Sequence, residues 1–254
     1  FPRWFVWILS LTSRAYSFRG KWDEAFEIGK KALSDAVQYS DNSLIAFASW
    51  NLSINYSWAV DMVRAIEYAE LAIEKAQTHG DIAWAQRSLG WALCRAGKLK
   101  KGIELLVKVL PSFGAGQFLS GETDLLCYLG EGSWLAGDEY KAKKTLEEGL
   151  EIAVRCGARY YIGFANRLLG EMSLRNEPFR ATTHFQRSIA ILEEIKAQNE
   201  LALAYKSYGR LLKQKHQIAE ARSYLTKALD IFERLGTLLE PDRVREELDE
   251  LPED

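Results

Sequence analysis

The chain has 254 residues, of which 48% are hydrophobic and 27% charged, and its 33 Lys and Arg against 35 Asp and Glu leave a formal net charge of −2. This is the composition of a folded chain with ample apolar material for a core, and a balance so near neutrality excludes the global field of a nucleic-acid or membrane-surface binder. Its three cysteines, Cys94, Cys127 and Cys156, lie far apart with no Cys-x-x-Cys pair, which argues against a zinc site or redox motif and for a reducing, cytoplasmic setting.

The first residue is Phe1 rather than Met, as expected of a segment cut from a longer polypeptide. The apolar run Trp4-Phe-Val-Trp-Ile-Leu-Ser-Leu11 is far shorter than the roughly 20 residues of a membrane span, and no small-residue cleavage site follows it. A buried helix is predicted there. Beyond it, five prolines leave room for long helices, and apolar or small residues recur at i, i+3, i+4 and i+7, as in Leu146, Gly149, Leu150 and Ala153. Strand-like alternation is missing.

A small residue recurs through this helical pattern, followed twelve and nineteen positions on by two more. The first reads Ser13, Ser53, Gly90, Gly130, Gly170, Gly209; the second Ala25, Ala65, Gly102, Ala142, Ala181, Ala221; the third Ala32, Ala72, Val109, Gly149, Ser188, Ala228. The fifth copy is one residue shorter in its turn. The residue after the third position is aliphatic in all six copies (Leu33, Ile73, Leu110, Leu150, Ile189, Leu229). Antiparallel helices 8–10 Å apart need small side chains where they cross, and a lone pair cannot bury its apolar face, so neighbours must stack. One domain, 1–254, is predicted, of six helix pairs near 3–40, 42–80, 81–116, 119–157, 158–198 and 199–236. Gly80, Gly157 and Gly236 read as ends of second helices, with His79 in a last turn, and Gly97 and Gly137 read as turns. Pro111 and Gly114-Ala-Gly116 close the third pair early, and a short charged helix near 241–251, after Pro241, caps the array.

This register resembles the tetratricopeptide repeat family. The sixth copy shows Tyr205, Tyr208-Gly209, Leu212, Ala221, Leu225 and Ala228 where the family has its signature, and the first shows Tyr16, Gly20, Ala25 and Ala32. The copies are spaced by 40, 37, 40, 40 and 39 residues, against the family's usual ~34, so helices about one turn longer, roughly 17 residues and 25 Å, are expected. The resemblance implies an all-α fold: a right-handed superhelical array of six antiparallel pairs plus the capping helix, with the first helix of each pair lining a concave groove. The array and its ending, Ala228-Leu-Asp-Ile-Phe-Glu-Arg-Leu-Gly236, are also similar to the C-terminal helical arms of multidomain bacterial signalling regulators. That implies a scaffold whose catalytic parts lie elsewhere.

No catalytic chemistry is legible. His79, His184 and His216 stand alone, and phosphate-loop, nucleophile-elbow and His-Glu-x-x-His motifs are missing. No catalytic, cofactor or metal residues are therefore expected, and the chain is read as a binding module rather than an enzyme.

With the first small residue counted as position eight, the family's groove positions are two, five, nine, twelve and thirteen. They hold six of the eight tryptophans, Trp7, Trp50, Trp58, Trp84, Trp91 and Trp134, on 30 of 254 residues (five in each of six copies), where an even spread would place one. Arg87, Trp91 and Arg95 follow one another at single-turn spacing on one helix face. The candidate partner-binding residues are Trp50, Trp58, Trp84, Arg87, Trp91, Arg95, Trp134 and Arg167; Arg175 belongs to the same groove set. Trp and Arg are the side chains most enriched in binding hot spots. Two dispositions remain open: a trough that takes a protein or peptide with an apolar anchor and an acidic group, or a groove filled by its own tryptophans. A small-ligand sensor arm and a purely structural oligomerisation arm are the alternative roles. Neither nucleic acid nor membrane is expected as a direct partner.

Overall fold

The computed structural model describes residues 3–113, 119–174, 176–237 and 240–252. Among them the chain is all-α, with thirteen helices and no strand: α1 Trp4–Phe18, α2 Trp22–Gln38, α3 Asn42–Trp58, α4 Met62–Lys75, α5 His79–Arg95, α6 Leu99–Val109 with a 3-10 turn Leu110–Ser112, α7 Leu119–Leu135, α8 Glu139–Cys156, α9 Arg159–Ser173, α10 Pro178–Glu194, α11 Gln198–Gln214, α12 Ile218–Leu235 and α13 Glu240–Asp249. The Gly114–Gly116 turn and Arg175 lie outside the described residues. The chain falls into two compact units, Phe1–Ser17 with Lys21–Thr145 and Phe18–Gly20 with Leu146–Asp254.

Both units obey the small-residue register. In the first, Ser13 Oγ donates to the Ala25 carbonyl at 2.6 Å, joining the first and second small positions of one pair. A Cβ on Gly102 would lie 2.6 Å from the Gly90 carbonyl oxygen and 2.5 Å from Cys94 Sγ, so α5 and α6 cross at backbone contact distance. In the second, a Cβ on Gly209 would meet Leu225 Cγ at 2.9 Å and the Ala221 carbonyl at 3.3 Å. The second helices bury a single stripe, such as Ala65, Ala69 and Ala72 in α4. The first helices are covered on nearly every side; in α3 each residue from Leu44 to Trp58 except Phe47 is buried. Successive first helices touch directly, α3 with α5 and α5 with α7 in one unit, α9 with α11 in the other.

The turns inside the pairs share one geometry. Asp61 N–H reaches the Tyr56 carbonyl (3.0 Å), Lys98 that of Leu93 (2.9 Å), Asp138 that of Ser133 (3.0 Å) and Gln217 that of Leu212 (2.9 Å). This is the six-to-one bond of a Schellman cap, with the preceding residue left-handed. Gly97 and Gly137 adopt it freely at φ +77° and +81°, whereas Val60 is forced into it at +66°.

Two expectations are corrected. α4 stops at Lys75, and Gly80 lies in the first turn of α5, because Thr78 and Asp81 build a capping box: Asp81 N–H donates to Thr78 Oγ1 at 3.0 Å and Thr78 N–H to Asp81 Oδ2 at 3.1 Å. His79 therefore begins a helix instead of ending one. The second correction concerns α1, which is not a buried helix: Trp4, Trp7, Ile8 and Leu11 are exposed by 59%, 52%, 48% and 52%.

Val60→Gly relieves a β-branched residue of its left-handed conformation and should stabilise the chain by about 1 kcal/mol. Gly102→Ala drives a methyl group into backbone and should cost about 1–3 kcal/mol. Urea melts of the two variants check the signs; a loss in the first or no loss in the second would contradict the register.

Candidate functional site

Helical periodicity stacks the groove positions of α3, α5 and α7 into a continuous layer within the first unit. The Trp50 ring stacks on Trp84 with centroids 5.1 Å apart and planes 18° apart, and Trp84 meets Phe113 edge-on at 4.8 Å. Alongside, Trp91 stacks on Tyr128 at 4.0 Å and 9°, with Trp58 edge-on to Trp91 at 6.0 Å. Trp7 joins through Phe47, on which it stacks at 4.7 Å.

Ionic groups thread this layer. Arg87 has no accessible surface. Its guanidinium lies 4.4 Å from the Trp84 ring centre and 5.3 Å from that of Trp50, and Nη1 donates to Asp124 Oδ2 at 2.6 Å. Arg14 Nη2 donates to the same oxygen at 2.8 Å. One carboxylate thus ties together α1, α5 and α7. Arg87 Nε and Nη2 have no hydrogen-bond partner among the described residues, so the aromatic faces replace much of the water this cation has lost; a desolvated cation–π contact is worth up to about 2 kcal/mol. A turn further on, Trp91 Nε1 donates to Glu131 Oε2 at 2.6 Å, and Arg95 lies 5.2 Å over the Trp91 ring and 3.6 Å from Glu131 Oε1.

The second unit repeats the device with fewer rings. Arg167 Nε reaches Glu200 at 2.5 Å and its Nη1 reaches Glu171 at 2.9 Å; Ser207 Oγ donates to Glu171 at 2.6 Å. α13 and the residue after it are held by a row of pairs: Lys206 with Glu240, Arg210 Nε with Glu247 at 2.9 Å and Lys213 with Glu250 at 2.9 Å. Burial pushes the Glu240 carboxyl up, but the cations of Lys206 and Arg243 outweigh it and hold the group below its ordinary value.

Among the eight candidates, Trp50, Trp58, Arg87, Trp91 and Arg167 are buried against neighbouring first helices, while Trp84, Arg95 and Trp134 keep partial exposure. The seven other than Arg167 lie in one unit, and Arg167 belongs to the other. The register puts Asp124, Glu131 and Glu171 at groove positions, but sequence reasoning missed their pairing with the cations of the layer. Asp124 and Glu131 stand 37 and 40 residues after Arg87 and Trp91, Glu200 stands 33 after Arg167, and Glu247 and Glu250 each stand 37 after Arg210 and Lys213. A search for opposite charge about one repeat away would have found them. Cys94 Sγ sits between α5, α6 and α7, where a Cβ on Gly132 would meet it at 2.7 Å; burial, aided by Glu131, pushes its thiol up to about 12, which leaves it protonated and unreactive at neutral pH. Among the described residues no three His, Cys, Asp or Glu gather as metal ligands, and no helix is long and apolar enough to cross a membrane.

No protein-family model and no curated protein matches the chain. Solved structures do. A Rap protein complexed with Competence and Sporulation Factor matches with TM-score 0.68 at 13% identity, over 96% of this chain and 73% of that one. The apo form of RapI matches at 0.58 and 14%, over 96% of each chain, and PilW, a type IV pilus biogenesis factor, at 0.56 and 16%, over 95% of this chain and 98% of that one. Similarity at such identities is one of fold. The chain has the fold of the tetratricopeptide-like helical-repeat proteins.

Trp91→Ala opens a cavity in the layer and should cost about 3–5 kcal/mol, whereas Tyr140→Ala, at a ring 81% exposed on α8, should stay within about 0.5 kcal/mol. Denaturant titration of both variants separates a packed layer from an open trough. The depressed Glu240 carboxyl stabilises the fold above its ordinary value of 4.5, and that contribution is lost as pH falls through the lower folded value. Melting temperatures taken from pH 5 to pH 3 should therefore fall less steeply for Glu240→Gln than for the parent chain; parallel curves would contradict the assignment.

Proposed function

We propose that the chain is a non-catalytic, cytoplasmic binding module of a larger signalling protein, and that it takes a protein or peptide partner at Trp84, Arg95 and Trp134. Trp50, Trp58, Arg87 and Trp91 form the floor behind that surface, and Arg167 does the same work inside the second unit. The observation that supports this reading is the division of the candidates into a buried floor and a partly exposed set of two tryptophans and an arginine. Hot spots concentrate in such side chains, and a surface held rigid by its support loses little conformational freedom on binding. Arg95 is 3.6 Å from Glu131, a loose pair that a partner's carboxylate replaces, while the rings receive an aromatic or aliphatic anchor. Support of a coarser kind comes from fold: one protein of this architecture is seen as a complex with Competence and Sporulation Factor.

Peptides selected by display against the whole chain should carry an acidic residue beside an apolar anchor. Trp84→Ala should weaken their binding about thirtyfold, the equivalent of roughly 2 kcal/mol, and should also lower stability, because the ring stacks on Trp50 and covers Arg87. Selected peptides that bind the Trp84→Ala, Arg95→Ala and Trp134→Ala variants as tightly as the parent would overturn the proposal.

A further inference from the structure

We infer that a cleft between α8 and α10 is a second recognition site, which takes a segment of a partner protein presenting a tyrosine- or leucine-sized side chain beside a lysine or arginine. The inference starts from the repeat register and does not involve the groove. Where one pair packs on the next, three positions meet. They are the aliphatic residue after the third small position, the residue before the first small position of the following pair, and the residue three places after its second. Between the first and second pairs these are Leu33, Leu52 and Tyr68, which belong to one packed cluster. Between the second and third they are Ile73, Leu89 and Leu105, again packed together. Between the third and fourth the last of the three is Thr145, which is buried. Between the fifth and sixth it is Tyr224, whose ring meets Tyr208 edge-on at 4.8 Å.

Between the fourth and fifth pairs the three are Leu150, Leu169 and His184, and they do not close. They line a cleft of about 360 Å³, which Val154 extends along α8. Every lining residue belongs to the second unit. The imidazole is held at the wall of this cleft by a buried amide. Asn166 Nδ2 donates to the Ile162 carbonyl at 2.7 Å, so its Oδ1 is the atom 2.9 Å from His184 Nδ1, and an amide oxygen only accepts. Nδ1 therefore carries a proton and is committed to Asn166. The place that the register fills elsewhere with a tyrosine or leucine stays open, and a partner's side chain of that size completes it. Val154, exposed by 49%, is covered in the process.

The rim sets the charge of the partner. Glu147 and Glu151 stand one turn apart on α8 at the cleft, both exposed, and neither is in an ion pair among the described residues. Like charges at that spacing repel, and a cation placed beside them relieves both. Arg155, one turn further on, leaves the carboxylates in the majority. This chemistry is opposite to that of the groove, where an arginine invites a carboxylate, so the two sites select different segments.

The test uses the whole chain and two tripeptides, N-acetylated and C-amidated: Arg-Tyr-Arg and Glu-Tyr-Glu. The chain has three histidines, His79, His184 and His216, so their ring signals are separable by NMR. Arg-Tyr-Arg at up to about 5 mM, a range suited to a single anchor, should shift the His184 signals and leave those of His79 and His216 in place. Glu-Tyr-Glu should shift none of them. Saturation transfer from the protein to the peptide's tyrosine ring reports the same binding without a histidine signal. By that measure Glu151→Lys, a change at an exposed side chain, should weaken binding at least about tenfold. His184→Leu, which copies Leu105 of the third pair, should abolish it, with the helical circular dichroism of both variants unchanged. No shift at His184, equal shifts with the acidic peptide, or undiminished saturation transfer in either variant would overturn the inference.

Discussion

A guanidinium stripped of water must be compensated where it lies, and Arg87 is compensated from several helices at once. Asp124 supplies the counter-charge from α7, Trp50 of α3 and Trp84 of α5 supply ring faces, and Tyr128 and Phe113 close the remaining sides at 5.8 and 5.9 Å. Because Arg14 of α1 shares the same carboxylate oxygen, the position of Asp124 constrains the first helices of the first, third and fourth pairs together. Displacing any of them leaves a buried charge without its partner, which costs far more than an ordinary apolar contact.

The same logic recurs down the chain with different residues. A cation on one first helix meets an anion about one repeat later: Arg87 with Asp124, Arg167 with Glu200, Lys213 with Glu250. Small residues fix how closely two helices of a pair approach, but alanine and glycine are nearly equivalent along a stripe and specify register weakly. A buried ion pair specifies it strongly, since a slip of one turn breaks the bond. Small-residue stripes therefore set spacing within pairs, and ionic rows set alignment between them. The aromatic rings fill the wider gaps and replace the cations' lost hydration.

Much of this was legible beforehand. Helix type, the pairing of Gly90 with Gly102 and the charged last helix follow from periodicity and side-chain size, which are local properties. Gly80 misled because glycine so often ends a helix, although the Thr78–Asp81 box that overrides it was equally present in the sequence. That the tryptophans of successive first helices pack against one another could be read from the register. Which of them solvent reaches could not, because that depends on how closely successive first helices converge. Trp91 and Trp84 occupy comparable positions in the pattern, yet one is sealed by Tyr128 and Trp58 while the other keeps an open edge. The apolar run of α1 misled in the opposite sense: such a run is buried only where another element lies against it, and among the described residues none covers Trp4, Ile8 and Leu11.

The account rests on Asp124 neutralising a buried cation, and a double-mutant cycle tests this directly. Asp124→Leu strands two guanidiniums and should cost about 3–5 kcal/mol. Arg87→Met leaves Asp124 paired with Arg14 and should cost less. Combining the two in one chain should recover at least about 1 kcal/mol of the Asp124→Leu loss, because one of the stranded charges is gone. Losses that simply add, within about 0.5 kcal/mol, would contradict the claim that this pair organises the layer.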